Sequence, residues 1–412
     1  MLARIARLPA VAALIAGALI GVAAPAQAAY SDPLTTISTA GLGLKYIATP
    51  PSAITALDAA LPNSDVTKVL ASANHPMTQC ASGEAASLPI NPTATRKMCW
   101  DAGDAATTAW NPQGITSSGD ADDDGSWGAN RVILSGWHYT EAGERRNDAR
   151  IAFIDYNDPA HPRYRWVYLV DPNDTGTNFA AAKAHVGGMV WYGDKLLVSA
   201  VGGSKVAIRV FDLNHILQTT DGSATIGRTG NGWAAYGYQY VMPEVGRYEY
   251  VAGACTMANN TGTPCFSSIS LDRSTSPDTL VAAEYFDNGT GSRLFRYPFG
   301  SGYLLAANSS GAVSATAAHR SGVANAQGVL SWNGRWYVAH SSSTLHGQLW
   351  RVTTGATGVS KTCTSPGTTA KVMCWALHPQ ALTHWYSDGL VWSQSEAPGE
   401  RAVFAVPLAD LP

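Results

Sequence analysis

Gln113-Gly114-Ile115-Thr116 is the first of five related phrases from which the fold of this chain follows. The other four are Gly187-Gly188-Met189-Val190, Ser267-Ser268-Ile269-Ser270, Gln327-Gly328-Val329-Leu330 and Gln380-Ala381-Leu382-Thr383. Each phrase precedes a turn signal and a second apolar run, and the third residues of successive phrases are 53 to 80 positions apart. Small β-hairpins that recur at such intervals predict an all-β fold, the β-propeller.

Each repeat is predicted to contain at least three strands. Asn-Gly, Asp-Gly or Gly-Asp follows the first strand in four copies, because these residues tolerate the positive φ of hairpin turns. The second strand is a nearly continuous apolar run, as in residues 195–199, which is typical of strands buried between blades. The third strand alternates more, as in residues 208–212, and fourth strands are expected at residues 164–170 and 236–241.

The two ends of the chain are expected to meet in one blade. Lys97-Met98-Cys99-Trp100 is similar to Lys371-Val372-Met373-Cys374-Trp375, which leads into the last repeat. An N-terminal segment that completes the C-terminal blade would close the ring and remove exposed sheet edges. Five repeats are visible, and the two longest intervals and residues 45–100 each have room for another copy. We therefore expect five to seven blades in one domain, residues 29–412.

Residues 1–28 have the features of a secretory signal peptide. Arg4 and Arg7 precede an apolar stretch, and Ala26-Gln27-Ala28 fits the small-x-small cleavage rule. Later apolar runs are too short to span a bilayer. We therefore expect a secreted, extracellular protein without a membrane anchor.

The charge of the chain bears on its partners. Residues 29–412 carry a formal net charge of −5, because the overall charge is −3 and residues 1–28 contain two arginines and no acid. A mildly acidic chain lacks the positive charge that nucleic acid or an anionic membrane attracts. Neither is expected as a partner.

The six cysteines form three pairs that are close in sequence, and each pair encloses a short polar loop. Six cysteines allow fifteen pairings, but local pairing is the most economical. We predict the disulfides Cys80–Cys99, Cys255–Cys265 and Cys363–Cys374. The absence of a C-x-x-C motif and the expected export both favour disulfides over metal binding.

An acidic loop, residues 120–125, resembles the first half of a calcium loop. Asp120, Asp122 and Asp124 alternate and are followed by Gly125, as in loops whose oxygen atoms converge on calcium. Arg131 stands where an EF-hand has its bidentate glutamate. Two interpretations are therefore open, a calcium site or a solvated acidic loop with an Asp-Gly turn. No other cofactor is expected.

A column of polar residues recurs near the start of the first strand in each repeat. Its members lie four or two positions before the central apolar residue: Asn111, His185, Asn325, His378, Gln113, Gln327 and Gln380. Strand starts surround one mouth of a propeller channel, so these residues are candidates for binding a small polar ligand or a metal. Alternatively, they bond the loop backbone where the strand begins.

Several sequence features together resemble a family of secreted actinobacterial β-propellers that includes the dispase autolysis-inducing protein of Streptomyces. The features are the Ala-rich export signal, residues 111–116, the Asp-rich loop 119–125, and residues 271–277. The resemblance spans nearly the whole chain after the signal. It implies seven blades, promotion of self-digestion of a thermolysin-like metalloprotease, and a role as glutamine and lysine donor for a transglutaminase. No individual glutamine can be matched.

Three functions are consistent with these observations. The first is a non-enzymatic propeller that binds an exported protease and is cross-linked by a transglutaminase. The second is a lyase or hydrolase that uses His185, His378 and the neighbouring asparagines at the channel mouth. The third is a lectin-like carbohydrate binder with exposed Trp and Tyr in its repeated loops. The chain contains neither G-x-S-x-G nor H-E-x-x-H, so no catalytic residue is assigned.

Overall fold

A computed structural model describes residues 30–256, 261–286, 291–364, 366–369 and 371–412. The predicted signal peptide lies outside the described residues. Five four-stranded antiparallel units dominate the structure and are called blades 1 to 5 in the order of their first strands. Blade 1 contains Trp110–Ser117, Val132–Tyr139, Ala149–Asp155 and Arg163–Pro172. Blade 2 contains Met189–Tyr192, Lys195–Ser199, Val206–Asp212 and Tyr240–Tyr250.

The remaining blades have the same plan. Blade 3 contains Phe266–Asp272, Thr279–Glu284, Arg293–Pro298 and Ala317–Arg320. Blade 4 contains Ala326–Trp332, Arg335–His340, Gln348–Thr353 and Ala356–Ser360. Blade 5 contains Thr383–Trp385, Leu390–Gln394, Ala402–Pro407 and, from the N-terminal part of the chain, Arg96–Cys99.

The first strands of the five blades lie next to one another in a closed ring. Each neighbouring pair is joined by a hydrogen bond or a close backbone approach: Trp191 with Thr116, Gly188 with Ile269, Val329 with Ser268, Gly328 with Gln380, and Ala381 with Gln113. The fold is therefore a β-propeller, as predicted.

The N-terminal closure of the ring is also confirmed, because Arg96–Cys99 pairs antiparallel with Ala402–Pro407. Five blades lie within the expected range, at its lower limit. The seven blades that the resemblance implies are not found in the described part of the chain.

Residues 45–100 do not form a hidden blade. They contain an edge strand of blade 2, Leu44–Ala48, and the short strands Asn63–Ser64 and His75–Pro76. Helices Pro51–Ala60, Val66–Ala71 and Ser82–Ala86 lie among them, and Ala102–Ala106 follows. Val66, Val69 and Leu70 are buried in a core shared with blades 1 and 2, so this segment covers the outside of the ring.

The two long intervals contain extensions of blades 1 and 2. Tyr240–Pro243 pairs in parallel with the outer strand of blade 1, and Glu244–Glu249 continues into blade 2. The fourth strand predicted at residues 164–170 is present, but the one predicted at 236–241 begins only at Tyr240. Smaller elements are Thr35–Thr36, Phe179–Ala181, Ile216–Gln218, Ala312–Val313, the hairpin Ile226–Thr229 and Gly232–Ala235, helix Ser118–Ala121, and 3₁₀ turns Ser301–Tyr303 and Leu408–Asp410.

Tryptophan side chains fill much of the core between blades. Eleven of the thirteen are buried, and Trp127 and Trp332 are half-buried. The lectin-like hypothesis assumed exposed aromatic rings in the repeated loops, and that assumption is wrong for tryptophan. Tyr303 is the one aromatic side chain among the exposed large hydrophobic residues of the described ranges.

All three predicted disulfides are present, with Cα–Cα distances of 5.0, 5.1 and 5.8 Å. Disulfides are typical of proteins that fold in oxidising, exported environments. Among the helices of the described ranges, none has the length and apolarity needed to cross a membrane.

Candidate functional site at the channel mouth

A β-bulge occurs at the same point in the first strands of blades 1, 3 and 4. The extra residues are Gln113, Ser267 and Gln327, each two positions before the central apolar residue of its repeat. A bulge leaves its extra residue outside the ladder and changes the direction of its side chain. The predicted glutamine column is therefore built by bulges in blades 1 and 4, and Ser267 is the equivalent residue of blade 3.

The predicted polar residues of blades 1 and 5 converge on a carboxylate that the sequence did not single out. Asn111 donates from Nδ2 to Glu396 Oε1 at 2.7 Å, and Gln380 donates from Nε2 to Glu396 Oε2 at 2.9 Å. Burial raises the pKa of Glu396, while the hydrogen bond from Asn111 and the charge of Arg401 oppose that shift. Glu396 lies in the turn after the second strand of blade 5, outside the repeated phrase.

The Arg401 side chain connects the residues around Glu396. Its Nη2 atom donates to Asn111 Oδ1 at 3.0 Å, its Nε atom to the Glu396 carbonyl at 2.7 Å, and its Nη1 atom to the Asp104 carbonyl at 2.7 Å. Arg401 is fully buried, and this burial lowers its pKa to about 10. A guanidinium with three fixed acceptors positions Asn111 and Glu396 rigidly.

Two carboxamide oxygens beside Glu396 are buried without a donor. Gln113 Oε1 and Gln380 Oε1 accept no hydrogen bond from the described residues, although the two side chains are 2% and 0% exposed. An unsatisfied buried acceptor costs about 1–3 kcal/mol. The usual partner of such a buried acceptor is an internal water molecule.

A cavity of about 270 Å³ lies at the same mouth, between blades 2, 3 and 4. Its lining includes His185, Phe266, Ser267, Tyr285 and Gln327. Sequence reasoning did not assign the blade 3 residue in the column of Asn111 and His185, because it is the disulfide-bonded Cys265, which also lines the cavity.

His185 stands at one side of the cavity. Its ring centroid is 4.4 Å from that of His138, and burial lowers the pKa of His185 to about 4. The imidazole is therefore neutral near pH 7 and offers one donor and one acceptor. The lining combines apolar surface with a few polar groups, as small-molecule sites do.

The cavity and the Glu396 group are neighbours. Gly328 follows Gln327, and a Cβ atom at Gly328 would lie 2.8 Å from the carbonyl oxygen of Gln380. Backbones of blades 4 and 5 can approach this closely only because Gly328 has no side chain. Predicted residues from four blades thus meet at one mouth.

Asn325 and His378 have a different role. Both have positive φ, 51° and 40°, at the start of their blades. His378 contacts Glu400 and the Ser343 carbonyl through its two ring nitrogens, and the backbone of Asn325 bonds Phe286 and Ser341. The alternative of bonding the loop backbone applies to the His378 side chain, whereas Asn325 Oδ1 is buried without a hydrogen-bond partner in the described ranges. His185 lines the cavity, whereas His378 bonds Glu400 and Ser343. The two histidines therefore belong to separate groups at the mouth.

The acidic loop does not bring its three carboxylates together. Asp120 is fully buried, and its Oδ2 atom accepts from Thr116 and Thr383 at 2.6 Å each. Asp122 and Asp124 are exposed and accept from the backbone two residues later. Within the described ranges, the groups of three close metal-ligand atoms do not include these residues. The arrangement matches the acidic-turn interpretation, with Asp120 as a buried anchor.

Comparison with known proteins gives little further information. No protein-family profile and no curated protein matches the chain. An Aleuria aurantia lectin mutant in complex with alpha-methyl-L-fucoside is 11% identical, with 70% of this chain and 72% of that chain covered and a TM-score of 0.31. A pyranose dehydrogenase PQQ domain from Coprinopsis cinerea is 11% identical, with 72% and 96% covered and a TM-score of 0.27. These values support no argument, and the propeller assignment depends on the strand pairing.

Proposed function

We propose that this chain is an exported, non-enzymatic propeller that binds a small polar ligand at its channel mouth. The observation that carries the proposal is the cavity of about 270 Å³ whose lining includes His185, Phe266 and Gln327. The Gln327 carboxamide and the neutral His185 imidazole each offer a hydrogen-bond donor and an acceptor. A ligand with amine or hydroxyl groups bonds these two side chains, and its carbon atoms pack against Phe266.

The test is a thermal-shift screen with a panel of polyamines, amino acids and polyols. The wild-type protein is compared with Gln327→Ala, which changes the cavity wall, and with Gln218→Ala, a half-buried glutamine of the edge strand Ile216–Gln218. A compound that raises the melting midpoint of wild type and Gln218→Ala, but not of Gln327→Ala, supports the site. If no compound raises the wild-type midpoint, or if all three proteins respond equally, the proposal is wrong.

A second candidate function is the one that the family resemblance implies. The resemblance implies seven blades, whereas the described residues form a ring of five, and this difference weakens the part of the argument that depends on the fold. One observation favours the transglutaminase part. Of the eight glutamines in the described ranges, Gln79 and Gln239 are exposed, and the carboxamide oxygen of Gln239 accepts from Arg165. Gln79, next to Cys80, is therefore the expected acyl donor, and its reaction with a lysine amine would release ammonia.

Two assays address this candidate. Incorporation of dansylcadaverine by a secreted transglutaminase should fall strongly in Gln79→Asn and stay at the wild-type level in Gln239→Asn. Unchanged labelling of Gln79→Asn would rule out that position. Incubation with a thermolysin-like metalloprotease should destroy the protease while the propeller stays intact. A protease that remains active would exclude the autolysis-inducing role.

A further inference from the structure

A second cavity, of about 290 Å³, lies on the outer side of blade 1 and shares no lining residue with the channel mouth. One wall is the outer strand of blade 1, and the other is the segment between the hairpin ending at Ala235 and the long strand beginning at Tyr240. We call this cavity the outer cleft. Its principal lining residues are His75, Arg165, Trp166, Tyr236, Tyr238 and Gln239.

The backbone of the outer cleft is strained at Tyr236. Tyr236 and Gly237 have φ values of 47° and 81°, and the Tyr238 amide donates to the Ala235 carbonyl at 2.8 Å. This is a tight turn with positive φ at both central positions, where Asn and Gly are favoured. A tyrosine there has an unfavourable conformation, and such residues cluster at ligand sites. A tyrosine ring therefore lines the cleft at a position whose backbone favours Asn or Gly.

The aromatic rings of the cleft are held in place from behind. The Arg150 guanidinium lies 3.6 Å from the Trp166 ring centroid and donates to the Tyr238 hydroxyl at 3.1 Å. The Tyr238 ring is 4.8 Å from the Tyr168 ring, and the Arg145 guanidinium lies 4.1 Å from the Tyr236 ring. Rings fixed in this way form a preorganised surface whose binding costs little conformational entropy.

Polar groups complete the lining. His75 Nδ1 lies 2.6 Å from Asp101 Oδ2, and its ring stacks on Tyr164 at 4.9 Å. Arg165 donates to the carboxamide oxygen of Gln239 at the rim. The lining of the cleft therefore combines fixed aromatic rings with hydrogen-bond donors and acceptors on more than one side.

These features select a class of ligand. The Arg150 guanidinium behind the cleft is paired with Asp104 at 2.8 Å, so its charge is compensated, and the polar lining disfavours a purely apolar molecule. A pyranose sugar has apolar C–H faces that pack on aromatic rings and hydroxyl groups that need both donors and acceptors. We propose that the outer cleft binds one pyranose unit of a glycan. This proposal is independent of the ligand at the channel mouth.

The test is isothermal titration with the methyl pyranosides of glucose, mannose, galactose and N-acetylglucosamine. Tyr236→Asn removes the ring but keeps a residue that tolerates positive φ, so the variant should remain folded. Tyr303→Asn is the matched control, because Tyr303 is another tyrosine with positive φ, 58°, outside the cleft. We expect at least one glycoside to bind wild type and Tyr303→Asn, and Tyr236→Asn to bind it about tenfold more weakly or not at all.

A second variant, Gln239→Ala, tests the polar rim and should also weaken binding. Circular dichroism and thermal unfolding show whether each variant is folded. If no glycoside binds wild type, or if folded Tyr236→Asn and Gln239→Ala both bind as wild type does, the outer cleft is not a sugar site. Gln327→Ala should leave glycoside binding unchanged, which separates this site from the channel mouth.

Discussion

The Asp120 carboxylate accepts a hydrogen bond from the Thr383 hydroxyl at 2.6 Å, although the two residues are 263 positions apart in the chain. Asp120 belongs to helix Ser118–Ala121, which directly follows the first strand of blade 1. The Gly193 amide of blade 2 donates to the Ala121 carbonyl at 3.0 Å. This helix therefore joins blades 1, 2 and 5 at the channel end away from the mouth.

Asp120 should make stability depend on pH. Burial raises its pKa from 3.8 to about 7, against the hydrogen bonds from Thr116 and Thr383 and the charge of Arg273. Between these two values the folded protein binds a proton that the unfolded chain releases, so the free energy of unfolding falls as pH rises. Asp120→Asn should remove this contribution and be the more stable protein at about pH 8, by on the order of a few kcal/mol.

Urea unfolding of both proteins at about pH 5 and about pH 8 measures this difference. The difference in the free energy of unfolding between variant and wild type should be larger at the higher pH. Equal gaps at both pH values would show that Asp120 does not titrate in this window.

Gly188 should tolerate no side chain. A Cβ atom there would lie 2.0 Å from the backbone nitrogen of Ile269 in blade 3, which cannot move without shifting a first strand. Gly188→Ala should lower the free energy of unfolding by about 3 kcal/mol or more. Gly222→Ala is the control, because no atom lies within 4 Å of its Cβ position. Similar unfolding midpoints for the two variants would contradict the close packing of blades 2 and 3.

The Cys80–Cys99 disulfide should stabilise the closed ring. Cys99 is the last residue of the N-terminal strand in blade 5. Replacing both cysteines with serine should lower stability by about 3 kcal/mol and make residues 77–99 sensitive to limited proteolysis. The control is the Cys363→Ser/Cys374→Ser variant, whose disulfide joins no strand of the ring closure. Equal protease resistance around residues 77–99 in both variants would refute this role.

Arg401 should not be replaceable by lysine. Its three nitrogens bond the Asp104 and Glu396 carbonyls and Asn111 Oδ1, and a single ammonium cannot reproduce this planar arrangement. Arg401→Lys should lower the free energy of unfolding by about 3 kcal/mol, while the exposed Arg335→Lys stays near wild type. Equal stability of the two variants in urea unfolding would show that the three hydrogen bonds of the Arg401 guanidinium are not needed for stability.

The sequence predicted the parts of the site that repeat. Gln113, Gln327 and Gln380 were found because they occupy equivalent positions in the repeated phrase, and all three lie at the channel mouth. Glu396 was missed because it lies in a turn outside the phrase. The outer cleft was missed for a different reason. Residues 236–239 have a strand-like composition, and the positive φ of Tyr236 cannot be read from residue types.

The repeats allowed five to seven blades and the resemblance implied seven, and the described residues form five. Each visible repeat forms one blade. The apolar strands of a repeat form a sheet, and both faces of that sheet must be buried against neighbouring blades. The intervals that had room for further copies contain edge strands, short helices and a hairpin instead.

Local patterns were sufficient for the propeller class, the three disulfides and the N-terminal strand of the last blade, because strand period, turn residues and cysteine spacing act over short distances. The contents of the two candidate sites depend on distant residues that pack together. Asn111 meets Glu396 across 285 positions, and Asn111 also meets Arg401 across 290. Such contacts are set by ring closure and by bulges and strained turns, which alter side-chain direction without a repeated sequence signal.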